Sequence, residues 1–484
     1  MRPRTTKLVA AAAITAGGIA IAKVLSKRRA RQRQEVCSER RTAAECAALH
    51  AAKVARIATQ LRTHDPARPV SLRKKAPPHQ VPKGGDLRRL DDKIDVGDLT
   101  SIIDIDPVNR VCVAESGVMF VDLVEATLRH GLVPMVVPEL KTITIGGAVS
   151  GCSIESMSFV YGGFHDTCLE YEVITARGDV ITCTPENGHS LVFQMLHGSF
   201  GTLGILSKLT FRLVPAKQFV HVVYEKYATI EQYRAAIWHH YKARDVDFVD
   251  GMIHSPSEYV LSVGRFVDSA PYANRYDWWK LYYRSTRTRD EDYLATPHYF
   301  FRYDRGVTNV RPKSLALRLL FGKLLDSGTM LRLAERFYWI FDDERPVITL
   351  DVFIPLSRIK EFLDWYEQTF HFYPLWCVPY RRVRDYEWLD DSFYAGLKDE
   401  LFIDLAIYGM EQPGDTNYHK LMEDKLRELG GMKTLISHNY YTRDEFWSTW
   451  NKRNYDTVKA ITDPDNVFRD LYTKTCKAAM GIAE

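Results

Sequence analysis

The stretch from Pro138 to Pro185, PELKTITIGGAVSGCSIESMSFVYGGFHDTCLEYEVITARGDVITCTP, limits most severely what this chain can fold into. Gly146 and Gly147 follow a β-branched run and precede small residues at Ala148, Ser150, Gly151 and Ser153. Main chain without side chains can approach a bulky ligand closely, so the pattern reads as a cradle for something flat or phosphorylated. Two β-branched runs joined by Arg177-Gly178-Asp179 then predict a hairpin. A second glycine turn, Gly201-Thr202-Leu203-Gly204, leads into the strand ILSKLTFRLVP.

Thr144 to Gly147, Tyr161-Gly162, the hairpin from Glu172 to Gly178 and the turn from Gly201 to Ile205 occur in an order that resembles the FAD domain of the vanillyl-alcohol-oxidase (PCMH) type. Within that family the likeness is greatest to the Δ24-sterol reductases. It is carried by HGLVPMVVPEL (His130 to Leu140), by G-x-x-x-G-x-x-I-E-S (Gly147 to Ser156) and by TRDEFW (Thr442 to Trp447). The resemblance implies an α+β fold with a two-part FAD-binding domain and a second α+β substrate, or cap, domain. It places the cofactor on Thr144, Ile145, Gly146, Gly147, Ser150, Gly151, Ile154, Glu155, Ser156, Gly201, Thr202, Gly204 and Ile205. No glycine pair followed by histidine occurs in the basic, proline-rich loop RPVSLRKKAPPHQVPKGG (Arg68 to Gly85), so FAD is expected to be held without a covalent bond. Arg73, Lys74 and Lys75 are candidates to compensate phosphate charge there. Neither G-x-G-x-x-G after a strand nor G-x-x-x-x-G-K-[ST] is present, which disfavours Rossmann and P-loop chemistry.

Residues 8 to 22, LVAAAAITAGGIAIA, are uncharged and lie between basic clusters. Leu8 to Leu25 reaches the lower edge of the roughly 17 to 25 residues that span a bilayer. The heavier positive cluster follows the apolar run, which predicts a single-pass anchor with the catalytic part cytoplasmic; a targeting peptide is the competing reading. An amphipathic helix is expected from Thr42 to Arg62 as a connector without chemistry. The boundaries read as anchor 1–34, connector 35–66, FAD-binding domain 67–217, cap 218–430 and a C-terminal segment 431–484 returning to the FAD domain. The eight cysteines show no C-x-x-C spacing and read as reduced thiols of an intracellular protein, with no metal site. A net charge of +4, with the basic excess crowded before Glu35, gives no reason to expect a nucleic-acid partner.

PHYFFRYDRG (Pro297 to Gly306) sets polar groups among aromatics, a mixture suited to an apolar pocket, with a surface strand as the alternative. Reducing an isolated alkene, as the resemblance implies, needs hydride at one carbon and a proton from a positioned acid at the other. Tyr303, Asp304, His298 and Tyr441 are the acids read from the sequence. In Thr442 to Glu445 a capping box accounts for the polar residues by itself. The anchor and the aromatic-rich cap together imply an apolar substrate dissolved in membrane: a sterol side chain, or a methylene-branched fatty acyl chain, reduced at the expense of NADPH. An FAD-dependent alcohol or sugar oxidase on the same fold is the other expectation.

Overall fold

The structure is a computed structural model that describes residues 35–277, 280–304, 306, 327–336 and 345–483. The expected anchor lies outside the described residues; among those described, no helix is long and apolar enough to cross a membrane.

The helix Ala43–Arg62 starts where the sequence says it should. Thr42 Oγ1 accepts from the Glu45 amide at 3.3 Å, and Glu45 Oε2 accepts from the Thr42 amide at 2.8 Å. Its buried face carries Cys46, His50, Val54, Ile57 and Leu61, spaced three or four apart. That face is built into the core, which corrects the reading of a mere connector. His50 lies 2.9 Å from Glu115 and 2.7 Å from Glu172, and Lys53 lies 2.7 Å from Glu115. A second correction concerns the thiols: Cys37 and Cys46 form a disulfide, while six cysteines are free. A 3₁₀ turn at Cys37–Glu39 returns the chain onto the first turns of the helix, a juxtaposition that spacing rules for short motifs do not register.

Strands β1 (Val70–Arg73) and β2 (Asp92–Asp95) are parallel and joined by the basic loop. An antiparallel sheet follows, built from β3 (Ile102–Asp106), β4 (Val111–Glu115), β5 (Leu132–Pro134), β6 (Cys168–Ile174), β7 (Val180–Cys183) and β8 (Ile205–Pro215). Its order is β3-β4-β8-β6-β7, with β5 also pairing with β8. The predicted hairpin is β6–β7, with Gly178 at φ 76° in its turn.

The second sheet is larger and entirely antiparallel. It uses β9 (Phe219–Tyr227), β10 (Phe248–Ser255), β11 (Glu258–Val267), β12 (Glu291–Ala295), β13 (Ile348–Pro355), β14 (Leu375–Arg381), β15 (Leu401–Met410) and β16 (Met432–Lys433), in the order β12-β9-β11-β10-β14-β15-β13-β16. Period-2 alternation divides its faces. Leu350, Val352 and Ile354 enter a core beneath helices such as Ile359–Thr369, whereas Asp351 and Phe353 point to the opposite side. That opposite face joins the first sheet in one hydrophobic cluster containing Phe120, Phe211, Phe248 and Trp376.

The C-terminal residues bind back onto the first half. The Val70 amide donates to the Val467 carbonyl at 3.0 Å, and the Ala176 amide to the Thr462 carbonyl at 2.8 Å. Lys459 Nζ donates to the Thr202 carbonyl at 2.8 Å.

Candidate active site

The two glycine bends form one wall. The helix Ile145–Ser150 is capped by Thr144, whose Oγ1 accepts from the Gly147 amide at 3.2 Å. At the end of this helix, the Val149 carbonyl accepts from the Gly198 amide at 3.3 Å and the Ser150 carbonyl from the Phe200 amide at 2.9 Å. The segments are thus stitched edge to edge. Cys152 (φ 52°) and Phe200 (φ 51°) flank the seam in left-handed backbone, which costs a non-glycine residue of order 1 kcal/mol or more and persists only where the surroundings enforce it.

The glycines divide by what stands opposite them. A Cβ on Gly146 would lie 2.7 Å from Ser116 Cβ, and one on Gly204 2.8 Å from Val173 Cγ1, so both serve the protein's own packing. Gly147 meets nothing nearer than Thr144 Oγ1 at 3.1 Å, and Gly201 nothing nearer than Lys474 Nζ at 3.9 Å. Of the residues expected to hold a cofactor, Gly147, Ser150, Gly151, Ile154 and Gly201 retain accessible surface. Thr144, Ile145, Gly146, Glu155, Ser156, Thr202, Gly204 and Ile205 are buried behind them.

A cavity of about 750 Å³, counted to its open mouth, adjoins the wall. Gly151, Cys152, Ile154, Gly198 and Phe200 line one side. Phe353, Tyr380 and Phe402 of the large sheet line the other, with Trp388 and Trp450 between. Its lining is overwhelmingly apolar and aromatic, as in small-molecule sites generally.

Three carboxyls accompany this face of the sheet. Asp351 accepts from Tyr408 Oη at 2.6 Å, and Asp404 lies opposite Phe353 in the ladder. Glu139 enters from the segment before the glycine wall. Burial pushes Glu139 up to about 8, with the Asp351 and Glu155 charges adding to it. Burial also brings Asp351 up to about 6, against the hydrogen bond from Tyr408. Asp404 is raised by burial and then by Asp351 and Glu139, and its Oδ1 has no hydrogen-bond partner among the described residues. Glu139, at about 8, keeps its proton at neutral pH and can donate it, whereas Asp351, at about 6, is only brought closer to protonation than a free carboxyl. The signal for two of them was present in the sequence, as an acid in the middle of each of the apolar strands VITLDVFIPL and ELFIDLAIYG.

The acids chosen from the sequence sit elsewhere. Pro297 to Phe300 belongs to a short helix, Thr296–Phe300, and not to a surface strand. In the turn after it, Tyr303 Oη donates to Asp250 Oδ2 at 3.1 Å, and Asp304 lies 2.6 Å from Lys141 Nζ. His298 is half-buried on that helix, and Tyr441 packs edge-on against Trp450 at 5.5 Å. None of these four, and none of Glu139, Asp351 and Asp404, is among the described residues that line the cavity. Arg302 is the residue whose importance only the structure reveals: it lies 2.9 Å from Glu155 and 3.0 Å from Asp250, all three fully buried. The Thr442–Glu445 capping box forms as read.

Residues 84–184 match the family model of an FAD binding domain. The glycine wall fits that cofactor: Gly147, Gly151 and Gly201 retain accessible surface, and a Cβ on Gly201 would meet nothing nearer than 3.9 Å among the described residues. The chain is an FAD-dependent oxidoreductase. It is similar to the Delta(24)-sterol reductase of Homo sapiens, 26% identical over 412 residues that cover 79% of this chain and 77% of that one. The Arabidopsis thaliana Delta(24)-sterol reductase is 24% identical over 435 residues, 80% and 76% of the two chains. Cytokinin dehydrogenase 10 of Oryza sativa subsp. japonica is 33% identical over 127 residues, covering 26% of this chain and 23% of that protein.

Proposed function

We propose that this enzyme reduces an isolated carbon–carbon double bond in an apolar membrane lipid, a sterol side chain foremost, with non-covalently bound FAD and NADPH as the electron donor. The observation that carries the reading is the aromatic cavity, bounded on one side by the glycine wall and on the other by the sheet face on which Asp351 and Asp404 stand beside Phe353 and Phe402. Bound FAD supplies a hydride acceptor and donor at its flavin ring. The chain's own part is to bind, orient and protonate. Phe353, Phe402, Trp388 and Trp450 hold an apolar chain and keep water out, which strengthens every charge interaction inside. An unpolarised alkene offers no oxygen for a hydrogen bond, so orientation rests on shape, and the proton must come from a group that holds it in a dry site. Glu139 and Asp404, whose burial favours the protonated form, are assigned that role, with Asp351 and the hydrogen bond it accepts from Tyr408 beside them. Among the acids read from the sequence, Tyr303 and Asp304 are engaged by Asp250 and Lys141 and serve this reading as supports of the site, as does Tyr441 behind the cavity. The similarity to Delta(24)-sterol reductases supports the sterol, and a methylene-branched acyl chain presents the same alkene chemistry.

The test is anaerobic. NADPH should bleach the flavin of purified protein, and a sterol carrying a side-chain alkene should restore its colour and become heavier by two hydrogens. A branched acyl lipid run in parallel decides between substrates. Reoxidation by oxygen with peroxide release, and no alkene consumed from either lipid, would defeat the reading.

A further inference from the structure

One corner of the apolar cavity is polar, and its hydrogen bonds have a fixed direction. His165, Tyr380 and Tyr386 line the cavity together. They are joined by Asp166, whose side chain is 1% exposed. Asp166 Oδ2 accepts from the Gly163 amide at 2.8 Å and from Tyr386 Oη at 3.0 Å, and its Oδ1 accepts from Arg384 Nη2 at 3.1 Å. His165 Nε2 lies 3.3 Å from the same carboxylate. Main chain is cleared for the arrangement. Gly162 stands at φ 76°, and a Cβ there would collide with Asp166 Oδ2, as one on Gly163 would with the His165 ring. Tyr386 stacks on Trp388 with ring centroids 5.3 Å apart, and its hydroxyl also bonds that of Tyr380, the next-to-last residue of β14.

A phenol has one proton to give. Tyr386 gives its proton to Asp166, a carboxylate already held by Arg384, so in the bond between the two tyrosines Tyr380 is the donor. The Tyr380 oxygen is left with lone pairs and no proton to offer, and among the described residues it has no further hydrogen-bond partner. We propose that Tyr380 Oη, oriented through Tyr386 by Asp166, is a hydrogen-bond acceptor that selects an apolar ligand carrying one hydroxyl group. The proposal rests on the lipid-reductase reading and narrows it. A lipid alcohol such as a sterol brings the donor that this oxygen needs. The ester of a branched acyl lipid brings only acceptors, whose lone pairs would face those of Tyr380. In a lining otherwise apolar and aromatic, one such contact sets orientation as well as affinity, because a polar atom left unmatched out of water is costly. Asp166 and Tyr386 act through Tyr380 and are positioning residues.

The test compares a lipid alcohol with its own methyl ether, which keeps the oxygen and loses the donor. Full-length, oxidised holoenzyme is titrated with a sterol bearing a side-chain alkene and with the methyl ether of the same sterol, and tryptophan fluorescence reports binding. Wild type should hold the alcohol roughly 3- to 10-fold more tightly, the worth of one neutral hydrogen bond. Tyr380→Phe should bring the alcohol to the level of the ether and leave the ether's affinity and the flavin content unchanged. Tyr386→Phe frees the Tyr380 proton for donation, so the ether should gain affinity and the preference should shrink. A merely structural tyrosine would produce no such gain. Equal binding of alcohol and ether by wild type would overturn the proposal and leave the reductase reading intact. Loss of alcohol and ether by the same factor in Tyr380→Phe would make that residue structural and overturn the proposal. Flavin lost from Tyr380→Phe, with alcohol and ether still distinguished, would give the acceptor to the cofactor and overturn it too. A wild-type protein that binds neither sterol would remove the sterol reading itself, and this inference with it.

Discussion

Glu155 Oε1 lies 2.9 Å from Arg302 Nη2, and this ion pair joins the glycine wall to the turn after the helix Thr296–Phe300. The same guanidinium lies 3.0 Å from Asp250 on β10 and 4.1 Å from the centroid of the Tyr299 ring. One cation thus answers two carboxylates where water is absent. Burial raises Glu155 against the attraction of Arg302.

Removing that cation strands two charges. Arg302→Leu should destabilise the fold by about 3–5 kcal/mol, the usual cost of breaking a buried pair from one side. Glu155→Gln should cost less, because Asp250 still pairs with Arg302. Urea unfolding measures both; an Arg302→Leu protein within about 1 kcal/mol of wild type would be incompatible with the network described.

Adjacent glycines should respond differently. Gly147→Val places a branched side chain where a ligand would approach the wall, and should abolish flavin retention with little change in the melting of flavin-free protein. Gly146→Ala should lower that melting point even without flavin, because its Cβ must share space with Ser116 at 2.7 Å. Absorbance per mole of protein and thermal melting distinguish the two. Normal flavin content in Gly147→Val would be the contrary result.

The His50 cluster predicts a stability optimum in mildly acid solution. Burial opposes the charge on His50, but hydrogen bonds to Glu115 and Glu172 outweigh it and raise its pKa. Its contribution is therefore complete below about 6.5 and lost as pH rises through the elevated folded value. Burial would raise Glu172, yet His50, Ser207 and Lys208 bring it to about 2, so its contribution is complete above about 4.5 and lost as pH falls toward 2. Melting temperature should decline above pH 6.5 in the wild type and be flatter there in His50→Gln. Parallel curves for the two proteins would count against the cluster.

Local signals in the chain proved legible where one segment contains the whole pattern. The helix from Thr42 to Arg62, the capping box at Thr442, the Arg-Gly-Asp hairpin and the apolar strands around residues 350 and 405 each depend on neighbours within a few positions, and each formed. The glycines at 146 and 147 were legible as a special bend, but their separate duties were not: what Gly146 avoids is Ser116, thirty positions earlier. Similarly, PHYFFRYDRG announced polar groups among aromatics, and only the fold assigned Tyr303 to Asp250, Asp304 to Lys141 and Arg302 to Glu155.

The amino-acid sequence by itself determined the class of the enzyme, the main-chain wall that a flat cofactor can approach, and the alternation that turns one face of each strand inward. Tertiary structure alone decided which charges meet. Asp351, Asp404 and Glu139 gather at one face of the large sheet, Arg302 meets Glu155 and Asp250, and Cys37 closes on Cys46. The physical reason is range: propensity and periodicity act over a turn or a strand, whereas desolvation and Coulomb energy depend on every group within several ångströms, whatever its distance along the chain.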